Sequence, residues 1–275
     1  MAQTIKTMKL YSAVERIHND LAALGYGRAD ALDVDVLAGL DQLHYHGTQA
    51  VDAAAAALGI GPGARVLDIG SGFGGPARWL AAKHGAAVTA VELQGDFHDL
   101  AADLSARADL GAGRVTHVQG DILATALPAE GFEAAVSWLA LYHIPDRGAL
   151  FPRVHAALKP GGGIYVEDLY QVAPPTAAEA RDLAGMMAAG TMQTREAYLA
   201  ELADAGFRRV DFQDMTADWA AFTAERLAAF RVGKADYVAR QGAATFAELE
   251  EFYQVIADLL AGGRLGGVRL VAWKE

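Results

Sequence analysis

From Arg65 onward, hydrophobic positions fall in short runs separated by longer stretches of helical periodicity. The β-branched or apolar runs at Arg65–Ile69, Ala87–Val91, Val115–Gln119, Ala134–Trp138 and Gly163–Glu167 predict strands. Between them, Pro76–Lys83, Phe97–Ala106 and Gly148–Leu158 carry apolar residues at helical spacing. Strand and helix alternating in this way predict βαβ units on a parallel sheet covered on both faces.

On either side the rhythm is helical. Upstream, Leu10–Leu24, Val34–Leu43 and Thr48–Leu58 predict helices, the first and last stopped by glycines at Gly25 and Gly59. Downstream, Thr176–Met187, Thr194–Ala205, Ala217–Ala239 and Phe246–Ala261 predict helices, with strands at Arg209–Gln213 and Gly267–Trp273. A late strand, a helical insertion and a terminal strand imply a closing antiparallel pair with a cap between its members. The expected organisation is a helical lid over residues 1–60, a core over 61–170, and a cap with closing strands over 171–275.

Composition narrows the class. The chain has 275 residues, 53% of them hydrophobic, enough for a sizeable core and too apolar for a disordered chain. Its net charge of −11, with no basic stripe, speaks against a nucleic-acid partner. With no cysteine, disulfides, thiolate catalysis and Cys-ligated zinc are excluded. The eight histidines show neither HxxxH nor HExxH spacing, so no metal is expected. No run approaches the roughly 18 apolar residues of a membrane span. The N-terminal segment meets charge too early for a signal-peptide core, so a cytoplasmic location is the expectation.

The densest chemical signal is Val66-Leu67-Asp68-Ile69-Gly70-Ser71-Gly72-Phe73-Gly74-Gly75, an apolar strand running through glycines into a helix. Such a turn lets a ligand approach backbone N–H groups at a helix start. Gly70, Gly72 and Gly75 also satisfy a dinucleotide fingerprint, which keeps a nicotinamide-dependent oxidoreductase open. Asp68 argues otherwise: a carboxylate there opposes a pyrophosphate and suits an ammonium. Glu92, at the end of the next strand, can accept both ribose hydroxyls. Asp121 after the third strand can accept from an adenine amine, with Ile122 packed on the ring; a helix N-cap role is its alternative. An amino acid joined to a nucleoside describes S-adenosylmethionine.

The segment Val66–Ala81 resembles motif I of class I S-adenosylmethionine-dependent methyltransferases. Glu92, Gly120-Asp121-Ile122 and Leu158-Lys159-Pro160-Gly161-Gly162-Gly163 resemble the later motifs in the family's order. The resemblance implies a Rossmann-like α/β fold, with a seven-stranded, mostly parallel sheet and a reversed last strand. It also implies cofactor contacts from Asp68, Gly70, Ser71, Gly72 and Gly74, then from Glu92 and Leu93, and finally from Asp121, Ile122 and Trp138. Within the class, Gly72–Ala81 resembles sarcosine/dimethylglycine methyltransferases. Leu141-Tyr142-His143-Ile144-Pro145-Asp146 resembles phosphoethanolamine methyltransferases, which pair such a histidine with a lid tyrosine, here matched by Tyr45. Isoprenoid C-methyltransferases use similar lids. The NPPY-type signature of enzymes that methylate amino groups of nucleic acid or protein is replaced by Trp138-Leu139-Ala140-Leu141.

These features predict a methyltransferase acting on a small molecule, with N-methylation of a glycine derivative or ethanolamine-like amine in front. C-methylation of an isoprenoid or other apolar acceptor, or O- or S-methylation, is the alternative, and a silent cofactor-binding scaffold is a third class. His143 is the candidate base, or else a structural cap of the Pro145-Asp146 turn. Tyr45 is the candidate lid residue over the methyl donor. Tyr142, Tyr170, Met187, Trp219 and Arg231 are candidate acceptor contacts that could equally be core or solvated positions. The oligomeric state is open, a homodimer included.

Overall fold

The computed structural model describes residues 14–275 apart from 112 and 190–191, so the predicted first helix lies partly outside the described residues. Its described part is α1 (Glu15–Ala23), followed by α2 (Val34–Ala38) and α3 (Thr48–Leu58). The core then alternates β1 (Arg65–Ile69), α4 (Gly75–Lys83), β2 (Ala87–Glu92), α5 (Gly95–Arg107), β3 (Val115–Gln119), β4 (Phe132–Trp138), α6 (Arg147–Ala157) and β5 (Leu158–Gln171). Beyond it come α7 (Ala177–Gly185), α8 (Arg195–Asp204) and β6 (Phe207–Asp214). Helices α9 (Thr216–Val232), α10 (Lys234–Gln241) and α11 (Ala243–Ala261) separate β6 from β7 (Leu265–Lys274).

The strands form one seven-stranded sheet in the order β3-β2-β1-β4-β5-β7-β6. Strands β1 to β5 are parallel, and β7 runs antiparallel to both β5 and β6. This is the Rossmann-like sheet with a reversed last strand that the motifs implied. Strand order reverses between β1 and β4, and in such sheets the crevice at their carboxyl ends is where ligands bind.

Alternation on the strands sorts the core. Val66, Val88, Ala134, Val136 and Tyr165 pack under α3 and α4. Leu67, Ile69, Ala135, Ile164 and Val166 pack on the other face with Leu150, Phe151, Tyr198 and Leu202 of α6 and α8. A third cluster joins the loop after α2 to the helices that follow β5, with Tyr45 and Leu169 against Leu183, Trp219 and apolar residues of α11.

Three elements differ from the sequence expectation. The helix expected over Val34–Leu43 stops at Ala38, capped at its start by Asp33, and Gly39 closes it. The chain from Leu40 to Gly47 is a loop because Asp41 turns inward to a buried cation. The helix expected over Ala217–Ala239 is two, divided at Gly233, where a poor helix former sits between the segments. Strand β5 extends to Gln171 because β7 pairs with it from Gly163 to Gln171, support no local pattern reveals.

Candidate active site

The carboxyl ends of β1, β2 and β4 open into a cavity of about 280 Å³. Its walls combine the glycine loop, Glu92 to Gln94, Gly120 to Ile122, Trp138 to Ala140 and His143 to Pro145, with Asp41, Leu43 and His44 closing it from the lid. Among the described residues lining it there is no lysine or arginine.

Local backbone requirements explain the glycines. A Cβ on Gly70, at φ +69°, would stand 2.4 Å from the Cβ of Ala140, so the loop passes β4 only without a side chain. A Cβ on Gly75 would meet Asp41 backbone and side-chain oxygens at 2.7 Å, so this glycine exists for the lid's close approach. Gly74, left-handed at φ +74°, caps α4, and Pro76 begins it.

Asp68 is fully buried, and its Oδ2 has no hydrogen-bond partner among the described residues. Burial first, and the charge of Glu92 second, push its carboxyl up to about 8. Asp68 pairs in register with Val136, and Trp138 lies two residues further along the same face of β4. The indole Nε1 of Trp138 and the Oγ of Ser71 are likewise buried without a partner. An orphaned carboxylate oxygen and two unused donors lining one cavity make a complement to a zwitterionic amino-acid head, since each such group is costly to leave unpaired.

Glu92 Oε2 accepts from the Gly72 N–H and Oε1 from the Gln94 N–H, both at 2.9 Å. These bonds fix the carboxylate against the loop, and each oxygen keeps a second acceptor site. Burial raises its carboxyl above the ordinary range. Asp121 Oδ1 accepts from the Leu123 N–H at 2.8 Å in a turn, and no helix follows for it to cap. Leu93 is 50% exposed at the cavity edge and Ile122 is buried opposite. The acidic, cation-free chamber thus fits S-adenosylmethionine, whose ammonium and sulfonium are positive, and fits a pyrophosphate poorly.

His143 sits in a 3₁₀ turn (Leu141–His143) after β4 and lines the cavity. Its Nδ1 lies 3.2 Å from the Ala188 carbonyl, which requires that nitrogen to carry the proton and leaves the lone pair on Nε2. Burial lowers its pKa to about 4, so the ring is neutral at pH 7. His44, lowered to about 4 by the same cause, donates Nε2–H to the Gly47 carbonyl at 3.0 Å and faces Trp138, ring centroids 5.5 Å apart.

The remaining candidates lie elsewhere. Tyr45 does not line the cavity: it is buried edge-on to Trp219 at 4.8 Å, with the Arg226 guanidinium 5.1 Å above its ring. Trp219 is core, Met187 packs in the same cluster, and Tyr170 donates its hydroxyl to Asp214 at 3.1 Å. Tyr142 is buried with its ring 4.0 Å from that of His143. Arg231 lies on the surface, paired with Glu250 at 2.7 Å. The structure brings in instead Asp41, Leu43, His44 and Gln94. The His44/His46 pair was visible in the sequence, but only the folded loop shows that His44 turns inward.

Residues 66–162 match the methyltransferase domain family. With the sheet order, this match supports the class I S-adenosylmethionine-dependent methyltransferase domain that the motifs of this segment resemble. It is 32% identical over 171 residues to sterol 24-C-methyltransferase of Yarrowia lipolytica, a match covering 58% of this chain and 44% of the relative. It is 35% identical over 105 residues to phosphoethanolamine N-methyltransferase 2 of Caenorhabditis elegans, covering 38% of this chain and 24% of that protein. Among solved structures, phosphoethanolamine N-methyltransferase 2 of Haemonchus contortus in complex with S-adenosyl-L-methionine superposes with a TM-score of 0.78 at 21% identity, covering 94% of this chain and 60% of that one. The chain thus spans less than half the length of these two curated relatives.

Proposed function

We propose that the protein transfers a methyl group from S-adenosylmethionine to a small molecule, most readily the nitrogen of a small amine. The observation that carries this reading is the unpartnered, buried carboxylate of Asp68 in a chamber lined by no lysine or arginine. A cationic ligand compensates that charge. The bound cofactor supplies an electrophilic methyl carbon on a sulfonium, and the protein supplies position, worth on the order of 7–11 kcal/mol when reacting atoms are aligned.

In this reading Asp68 holds the ammonium, Ser71 and Trp138 donate to the carboxylate, Glu92 accepts from the ribose, and Asp121 and Ile122 contact adenine. Gly70, Gly72 and Gly74 allow the close approach. His143 is neutral and offers its Nε2 lone pair to an N–H of the acceptor, orienting the amine. A ring with a pKa near 4 is too weak a base to strip an alkylammonium, so the amine enters unprotonated and the methylated product gives its proton up to solvent. Tyr45 acts through packing, holding the lid against the cap. C-methylation of an apolar acceptor is the second reading, favoured by the sterol methyltransferase match, which extends over 58% of the chain.

Calorimetric titration with S-adenosylmethionine, S-adenosylhomocysteine and NAD tests the cofactor, and transfer of labelled methyl to sarcosine, phosphoethanolamine and an isoprenoid diphosphate tests the acceptor. Binding of the adenosyl ligands with label on an amine supports the proposal. Label on the isoprenoid replaces it with the second reading, and binding of NAD alone overturns both.

A further inference from the structure

Behind the turn that carries His143 lies a sealed polar network with no part in the cofactor chamber. Arg147 and Asp168 form an ion pair at 2.8 Å with both side chains at 0% exposure. The carboxylate does three things. Its Oδ2 accepts from Arg147 Nη2 and from the Tyr198 hydroxyl at 2.7 Å, while Oδ1 accepts from the Tyr142 N–H at 3.3 Å. The guanidinium reaches the same turn from the other side, donating Nε–H to the Leu141 carbonyl at 3.2 Å. Its carbon lies 4.7 Å from the Tyr198 ring centroid.

We propose that Arg147, Asp168 and Tyr198 are positioning residues, which clamp the backbone of the Leu141–His143 turn and so set where the His143 imidazole stands in the cavity. The inference rests on the reading of His143 as a residue of the reaction site. Two elements reach the short turn directly, β5 through Asp168 and α6 through Arg147, and α8 braces both through Tyr198. A buried ion pair is seldom the most stable filling for a core, and apolar groups of equal volume often do as well or better. What this pair supplies that apolar groups cannot is two directed bonds to a turn whose amide and carbonyl need partners. The planar guanidinium bonds Leu141 through Nε and Asp168 through Nη2, a fixed pair of donors that the point charge of a lysine does not reproduce. Across the ring, Ala188 accepts from Nδ1, so the imidazole is held at its backbone and at its edge.

The test uses the full-length protein labelled with ¹³C and ¹⁵N at histidine. The His143 ring resonance is assigned by its loss in His143→Gln. Tyr198→Phe removes one hydroxyl and keeps the ring beneath Arg147, so it is the mild variant; Asp168→Asn and Arg147→Lys are the stronger ones. The expected result is a shift or splitting of the His143 resonance in Tyr198→Phe, and a larger one in Asp168→Asn and in Arg147→Lys. The remaining histidine resonances and the calorimetric affinity for S-adenosylhomocysteine stay unchanged in Tyr198→Phe. A His143 resonance that stays in place while the melting temperature falls overturns the proposal, leaving the network structural only. Should Asp168→Asn fail to fold, Tyr198→Phe decides. Absence of S-adenosylhomocysteine binding by the unaltered protein counts against the proposed function, and the His143 shift still decides the positioning role.

Discussion

Arg78 donates Nη2–H to the carboxylate of Asp41 at 2.7 Å, with both side chains sealed from solvent. The pair ties the lid loop to the helix that follows the glycine loop. The same guanidinium donates to the Phe73 carbonyl inside the glycine loop, and to the Ala101 carbonyl and Ser105 hydroxyl of α5, each at 3.1 Å. One arginine therefore joins the lid, the glycine loop and the helix after Glu92, and each of these forms part of the cavity or its support.

Removing one partner leaves a buried charge unpaired. Asp41→Ala is expected to lower stability by about 3–5 kcal/mol, whereas Asp41→Ala combined with Arg78→Leu recovers part of that loss. Urea denaturation of both variants measures this. The affinity for S-adenosylhomocysteine is expected to fall in both, because neither holds the lid. A double variant that binds as tightly as the unaltered protein would sink the lid assignment.

Asp68 gives a pH dependence with a definite sign. Its folded value of about 8 lies above the ordinary value of 3.8, so the folded ligand-free protein binds the proton more tightly than the unfolded chain. Stability from this group is therefore fully present below pH 3.8 and declines between there and about 8, beyond which it is flat. A ligand ammonium beside Asp68 favours the ionised form, so binding of S-adenosylhomocysteine through its amino-acid head at pH 7 is expected to release a proton. Calorimetry in buffers of different ionisation enthalpy reads that release, and Asp68→Asn should abolish it along with much of the affinity.

Trp219 owes its place to a glycine. A Cβ on Gly267 would stand 2.2 Å from a ring atom of Trp219, so β7 offers the indole a bare backbone to lie on. Gly267→Ala is expected to destabilise the protein by about 1–3 kcal/mol through overpacking. Thermal melting measures the loss. Loss of acceptor turnover with stability unchanged would instead make Trp219 an acceptor contact.

The His46–Asp218 pair joins lid to cap at 2.6 Å, but its side chains are 27% and 49% exposed. At such a site Asp218→Asn is expected to cost less than about 1 kcal/mol. The difference should shrink further in about 1 M salt. A larger cost in a denaturation series would show that the latch contributes more than surface electrostatics.

Most of the fold was legible in the residues, and so were the strand-end residues that line the cavity, for a physical reason. Strand runs, the glycine loop, Asp68, Glu92 and Asp121 are signals of local geometry. Apolar runs predict parallel strands buried on both faces, and polar residues at successive strand ends fall into one crevice because the sheet order brings those ends together. The helix boundaries that failed, at Ala38 and Gly233, lie where a distant partner or a single glycine overrides periodicity.

Tertiary packing settled everything that depends on which side chain meets which. Tyr45 and His44 are neighbours in sequence, yet the loop turns His44 toward the cavity and Tyr45 into the cap core. Arg231 and Arg147 are both arginines at helical positions, yet one is solvated and the other wholly buried against Asp168. No spacing distinguishes them, because burial of a charge is decided by its partner, and the partners of Arg78 and Arg147 lie 37 and 21 residues away in the chain. Local sequence carries the backbone's conformational preferences. Long-range contacts assign each polar group its partner, as they assign Asp168 to Arg147.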